Sequence, residues 1–247
     1  MVIANYPGRM GNHLFVYCFC RILAEEIGLR LFADSIPGFP GTQQFVDGDV
    51  IHAPVRVIDG CEVVDFEKLI SERKKERICV RGYVQRAEYY VSRRDRIREW
   101  LALDDPEVRP GDNDLVIAVR LGDFVRMGWV LDFSYYRGIL ARHRFDNIWI
   151  TSDEFDHPYL KRFRRYGVKY CKGDPLTHFK FIKAARQIVL CGSTFSWWAS
   201  FLSDAHRIFF PVLRQKVDFW CHHGNPVNDL RIRAPQYEYI YNVELMH

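Results

Sequence analysis

From residue 115 onward, short apolar runs alternate with helical patterns, and this restricts the second half of the chain to a parallel sheet wrapped by helices. Residues 115–119, 148–150, 168–170, 188–191 and 207–210 read as strands, the last of these as the final one. Residues 135–143, 158–166, 176–186 and 195–202 read as helices between them, with Asp174 capping the third. Strands joined through helices run parallel by right-handed crossovers and are covered on both faces.

The first half starts the same way. Residues 2–4 read as a strand and Gly8-Arg9-Met10-Gly11-Asn12 as a glycine turn, with Asn12 expected to cap the following helix. Leu14, Phe15, Cys18, Ile22, Leu23 and Ile27 recur at helical spacing, and Gly28 closes the helix. Residues 29–33 and 77–83 read as strands, 46–70 as short strands and a turn, and 86–103 as a basic amphipathic helix with Ile97, Trp100 and Leu101 inside. Residues 104–114, rich in Pro, Gly and Asp, read as a hinge. The expected organisation is therefore α/β, with an N-terminal domain over 1–108 and a C-terminal Rossmann-like domain over 109–247. Two such halves imply a central cleft, with ligands beyond the carboxyl ends of the strands.

Composition narrows the function classes. The net charge of +4 suits an anionic small ligand better than a nucleic acid. The basic tracts at 73–77, 93–98 and 161–165 lack interleaved aromatics and read as solvated helix faces. No apolar run approaches the ~20 residues of a membrane span, which leaves only peripheral membrane association open. The start of the chain does not read as a signal peptide, so a soluble cytoplasmic protein is expected. The seven cysteines are an odd number, and Cys18, Cys20, Cys79 and Cys191 sit in apolar runs, so they read as reduced core thiols. Cys221-His222-His223 lacks a second ligand pair at finger-like spacing, and no metal site is expected there.

Three strand ends in the second half carry polar chemistry. Ser193-Thr194-Phe195-Ser196 stands where a strand hands over to a helix, where hydroxyls cap the first turn and amides can meet a phosphate. Arg120 follows a buried strand and can grip a diphosphate, with Asp123 placed to hold it. Ser152-Asp153 can accept hydrogen bonds from a nucleoside. In the first half, Gly8 and Gly11 allow close backbone approach to a ligand. The turn is not the three-glycine dinucleotide fingerprint, and no G-x-x-x-x-G-K-[ST] phosphate loop occurs. Trp197-Trp198 and Tyr135-Tyr136 read as core pairs.

Together these segments resemble the α-1,2-fucosyltransferase family. Its opening turn, G-G-L-G-N-Q-M-F-Q-Y-A, stands here as Gly8-Arg9-Met10-Gly11-Asn12-His13-Leu14-Phe15-Val16-Tyr17-Cys18. Its central H-x-R-R-G-D-Y stands as Ala118-Val119-Arg120-Leu121-Gly122-Asp123-Phe124, and its Y-Y helix as Tyr135-Tyr136. Its S-D-D stands as Ser152-Asp153-Glu154, and its S-S-F-S-W-W-A as Ser193 to Ala199. The resemblance implies a GT-B architecture and metal-independent, inverting sugar transfer from a nucleotide diphospho-sugar to a glycan, with no other cofactor. It implies that Arg120 and the 193–196 helix start hold the diphosphate. It further places Asp153 near the nucleoside, with Gly11 and Asn12 bordering the diphosphate from the other half. Ala118 and Leu121 replace the family's histidine and second arginine. GDP-fucose is thus the donor by resemblance, and a UDP-sugar such as UDP-xylose is the alternative. A glycan-binding module without catalysis is the non-enzyme reading. Asp132, Asp34 and His13 are the candidate bases for the acceptor hydroxyl.

Overall fold

A computed structural model of the chain describes residues 1–44, 55–72, 76–214 and 227–246. Part of the 46–70 reading, residues 73–75 of a basic tract, and Cys221-His222-His223 lie outside them. The chain is α/β and divides into two compact units: Met1–Leu103 with Pro226–Arg231, and Asp104–Asn225 with Ile232–His247. Among the described residues no helix is long and apolar enough to cross a membrane.

The first unit holds β1 (Val2–Ala4), α1 (Met10–Ile27), β2 (Leu31–Phe32), β3 (Val55–Asp59), α2 (Phe66–Glu72), β4 (Arg77–Arg81) and α3 (Arg94–Trp100). Its strands lie in the order β2-β1-β4-β3, all parallel. The α1 helix buries Leu14 through Cys20 without interruption, as a helix apolar on most sides must. It ends on Gly28 at φ +69, a left-handed cap that needs glycine.

Three expectations are corrected here. Within the 46–70 reading of strands and a turn, residues from Phe66 onward form the helix α2. Asn12 does not cap α1. The helix starts at Met10 after an extended Arg9, and the Asn12 Oδ1 instead accepts from Gln85 Nε2 at 3.0 Å. The 86–103 stretch is not one helix. Two short 3-10 turns, Ala87–Tyr89 and Val91–Arg93, precede α3, because Tyr90 drops into the core. The Tyr90 hydroxyl reaches the carbonyls of Val84 at 2.7 Å and Phe15 at 3.1 Å. Ile97 and Leu101 are buried as expected. Trp100 is only half-buried, with the Arg21 guanidinium 4.3 Å above its ring.

The second unit holds β5 (Leu115–Val119), α4 (Gly122–Met127), α5 (Phe133–Arg142), β6 (Ile148–Ser152), β7 (Lys169–Tyr170), α6 (Pro175–Ala184), β8 (Gln187–Val189), α7 (Thr194–Phe201), β9 (Arg207–Leu213) and β10 (Tyr237–Val243). Residues 158–166 form a 3-10 helix. The strands lie in the order β10-β9-β8-β5-β6-β7, all parallel. From the β7 edge this is the third, second, first, fourth, fifth and sixth strand of the unit, the order of a Rossmann sheet. The β9 strand is not the last. β10 pairs beside it, and no crossover helix pattern announces β10 in the sequence. Central β5 is buried at every residue, as a strand covered on both faces must be.

A buried carboxylate anchors the start of β5. Asp114 accepts from Asn147 Nδ2 at 2.8 Å, Trp149 Nε1 at 3.0 Å and the Gly111 amide at 3.0 Å. Burial works to raise its pKa, but the bonds from Asn147, Gly111 and Trp149 outweigh it and hold the carboxyl below its ordinary value. Asp114→Ala is expected to cost about 3 kcal/mol in urea unfolding, because it leaves buried donors without an acceptor. A folded-state pKa below the unfolded one stabilises at neutral pH, and the benefit is lost as pH falls through the folded value. The stability gap between wild type and Asp114→Asn is therefore expected to close in acid.

Candidate functional site

In the second unit the chain leaves β5 towards β6 and β7, then returns to build β8, β9 and β10 on the other side. The loops leaving β5 and β8 therefore diverge, and this switch point is where open α/β sheets bind ligands. Arg120 follows β5, Ser193 to Ser196 follow β8, and Ser152-Asp153 close β6 next to β5. All three segments singled out in this half thus stand at the carboxyl end of one sheet, on adjacent strands.

Arg120 is clamped. Its Nε and Nη2 meet Asp123 Oδ1 at 2.9 and 2.8 Å, and its Nη1 meets Asp153 Oδ2 at 3.1 Å. Asp153 Oδ1 also accepts the Leu121 amide at 2.8 Å, which pins the loop that carries the arginine. Each of the three side chains is about a quarter exposed, so the clamp is reachable from solvent. Asp153 is therefore the far jaw of the clamp, a long-range role that local spacing does not reveal. These contacts do not exhaust the N–H fork of the guanidinium. One cation between two carboxylates leaves the cluster formally anionic, so an anionic ligand here needs further donors. Leu121, at the position of the family's second arginine, is fully buried and belongs to the core.

Gly122 fits the clamp closely: a Cβ there would stand 2.5 Å from Asp153 Oδ2. Gly122→Ala is expected to displace Asp153, free one side of Arg120 and weaken anion binding roughly tenfold, about 1.4 kcal/mol, measured by titration calorimetry.

The start of α7 is the other polar segment of this half, at the end of the strand beside β5. Ser193 is its N-cap, its Oγ accepting from the Ser196 amide at 3.2 Å. The Ser196 hydroxyl is 3.0 Å from the Ser193 carbonyl and the residue is 1% exposed, so Ser196 shapes the turn from below. Cys191 Sγ packs behind both hydroxyls, at 3.4 Å from Ser193 and 3.7 Å from Ser196, and burial pushes its thiol pKa up. Thr194 and Phe195 are half-exposed and precede the first intrahelical bond, Trp197 amide to Ser193 carbonyl. Their amides stand at the positive end of the helix dipole. Trp197 and Trp198 are fully buried core, with Trp197 stacked on Phe201 at 4.8 Å.

His178 on α6 is a residue the sequence reading missed. It is 9% exposed, its ring lies 5.7 Å from Phe155, and the field of Asp153 reaches it. Burial lowers its pKa, although Asp174 and a bond to the Cys171 backbone oppose that shift. Its Nε2 is buried without a hydrogen-bond partner among the described residues. A helical pattern alone gives no sign of such a group.

The first unit presents its own cluster after β1. Gly8 sits at φ +70, and a Cβ there would run into Asn12 Nδ2. Gly11 is buried. His13 Nε2 lies 3.0 Å from the Gly8 carbonyl, and its ring stacks on Tyr6 with centroids 5.0 Å apart. The Tyr6 hydroxyl donates to the Asp34 carbonyl at 3.2 Å, so Tyr6 links His13 to Asp34. Burial pushes the Tyr6 hydroxyl pKa far up. Gln85, 5% exposed, holds Asn12 from the loop after β4. The turn that delivers Gln85 carries Val84 at φ +44, a buried β-branched residue in the left-handed region, at a cost of about 1–3 kcal/mol.

Asp132, the remaining candidate base, belongs to the second unit and caps α5 by accepting from the Ser134 amide at 2.8 Å. Burial works to raise its pKa, but the bonds from Ser134 and Phe133 and the charge of Arg162 hold it below its ordinary value. A capping carboxylate with a lowered pKa is a poor proton acceptor. No protein-family model matches the chain, and no curated protein matches it in sequence.

Proposed function

We propose that the chain is an inverting glycosyltransferase that moves a sugar from a nucleotide diphospho-sugar to a glycan hydroxyl. The observation that carries this reading is the Arg120–Asp153 ion pair and the start of α7, which follow adjacent strands at the switch point of a Rossmann-ordered sheet. The reading includes the GT-B class, with the second unit as the donor half and the first as the acceptor half. The donor is GDP-fucose by the resemblance, and the loss of the family histidine at Ala118 keeps a UDP-sugar in view.

The acceptor oxygen attacks the anomeric carbon while the bond from that carbon to the diphosphate oxygen breaks, inverting the centre. Negative charge grows on the departing nucleoside diphosphate. The Arg120 fork and the first-turn amides of α7 stabilise that charge, and they are held in place beforehand by the clamp and the serine cap. No metal is assigned to this step. His13 is the base of choice among the three candidates. With its Nε2–H donated to the Gly8 carbonyl, its Nδ1 lone pair can take the acceptor proton.

One observation favours a second reading. Arg120 is neutralised from two sides, and an arginine so satisfied could serve a glycan-binding module that does no chemistry. Incubation with labelled GDP-fucose or UDP-xylose and candidate glycans separates the two. The transferase reading expects sustained release of nucleoside diphosphate that depends on acceptor. Glycan binding without any release would leave the binding module.

A further inference from the structure

The geometry points to Gln85 as a positioning residue that sets which end of the Asn12 carboxamide faces the Gly8 turn. This inference rests on the nucleotide-sugar reading, in which Asn12 borders the diphosphate. An asparagine amide presents two N–H donors on one side and an acceptor oxygen on the other. Only the donor side attracts an anion, so the orientation decides whether Asn12 helps or repels one.

In this structure Gln85 decides it. Its Nε2 donates to Asn12 Oδ1 at 3.0 Å, which turns the asparagine oxygen towards Gln85. The Asn12 Nδ2 then lies against Gly8, where it is the nearest atom to any Cβ placed on that glycine. The backbone that carries Gln85 is held firmly. The residue is buried, and it follows Val84, whose left-handed backbone is tied down at both polar groups. The Val84 amide donates to the Gly60 carbonyl at 2.9 Å, and the Val84 carbonyl accepts from the buried Tyr90 hydroxyl at 2.7 Å. Strain of this kind persists only where the surroundings over-determine it, and here it aims one amide at another.

Gln85→Glu tests the idea with almost no change of shape. An ionised glutamate only accepts, so it draws Asn12 Nδ2 to itself and turns Oδ1 to the glycine turn. The full chain is titrated with GDP and UDP, in wild type, Gln85→Glu, Asn12→Ala and the double variant. In parallel, side-chain amide NMR follows the nuclear Overhauser contact between the Asn12 Nδ2 protons and the Gly8 α-protons, and melting confirms the fold. The expected result is about tenfold weaker nucleotide binding in Gln85→Glu, with loss of the Gly8 contact. In the Asn12→Ala background Gln85→Glu should have a much smaller effect, only the direct, salt-screened repulsion of the new carboxylate remaining, because the rest passes through Asn12. A purely structural glutamine would weaken both backgrounds alike. Wild-type affinity in Gln85→Glu, or effects of the two substitutions that multiply, would overturn the inference. A wild type that binds neither nucleotide overturns the proposed function instead. The Overhauser contact then judges the Gln85 orientation by itself: its persistence in Gln85→Glu would overturn that too.

Discussion

Replacing Arg120 by alanine is expected to lower turnover about 100-fold, roughly 3 kcal/mol of transition-state stabilisation. The loss has two parts. The fork that meets the departing diphosphate is gone, and the carboxylates of Asp123 and Asp153, 2.8 and 3.1 Å from it in wild type, are left facing an anion. Removing one of those charges should therefore recover part of the loss, so Arg120→Ala with Asp123→Asn is expected to be faster than Arg120→Ala alone. Lysine should not rescue, because one ammonium cannot hold two carboxylates and still offer a bidentate face. Steady-state kcat and donor KM for these variants measure the effect. An Arg120→Ala enzyme with wild-type turnover would take the arginine out of the mechanism.

Replacing His13 by alanine is expected to lower kcat roughly 1,000-fold while donor binding is kept, since its proposed task is only to take the acceptor proton. Its ring is placed by the Gly8 carbonyl at 3.0 Å and by the stack on Tyr6, so the change also frees Tyr6. His13→Gln is the sharper control. It can keep a bond to the Gly8 carbonyl but offers no basic nitrogen, and it should be as slow as alanine. Asp132→Asn should behave differently. Asparagine can still cap α5, so turnover should stay near wild type. A slow Asp132→Asn beside a normal His13→Gln would exchange their roles.

Features set by neighbouring residues are legible in the sequence. Buried β5 reads as an unbroken apolar run, and Asp174 and Ser193 carry the side chains that cap α6 and α7. What was not legible depends on partners distant in the chain. Asp123 lies three residues from Arg120 and reads as its holder, whereas Asp153, the other jaw, comes from the next strand. Asn12 looks like a cap until Gln85, 73 residues away, claims its oxygen. The 86–103 pattern has helical spacing, but spacing cannot show that Tyr90 must reach the Val84 and Phe15 carbonyls and so breaks the run. β10 was missed for a related reason. Its alternating tyrosines suit an edge strand, yet the segment before it carries no helical pattern to mark a crossover.

The most direct test of the central claim is a thermal-shift panel of GDP, UDP, GDP-fucose and UDP-sugars, with and without EDTA, on wild type and Arg120→Ala. A nucleotide at about 100 times its dissociation constant adds roughly 2.7 kcal/mol, which for a chain of this size raises Tm by about 5–10 °C. The expected result is such a rise with one nucleotide class, unchanged by EDTA and lost in Arg120→Ala. No rise with any of them, or an equal rise in Arg120→Ala, would contradict a nucleotide-sugar site at the switch point.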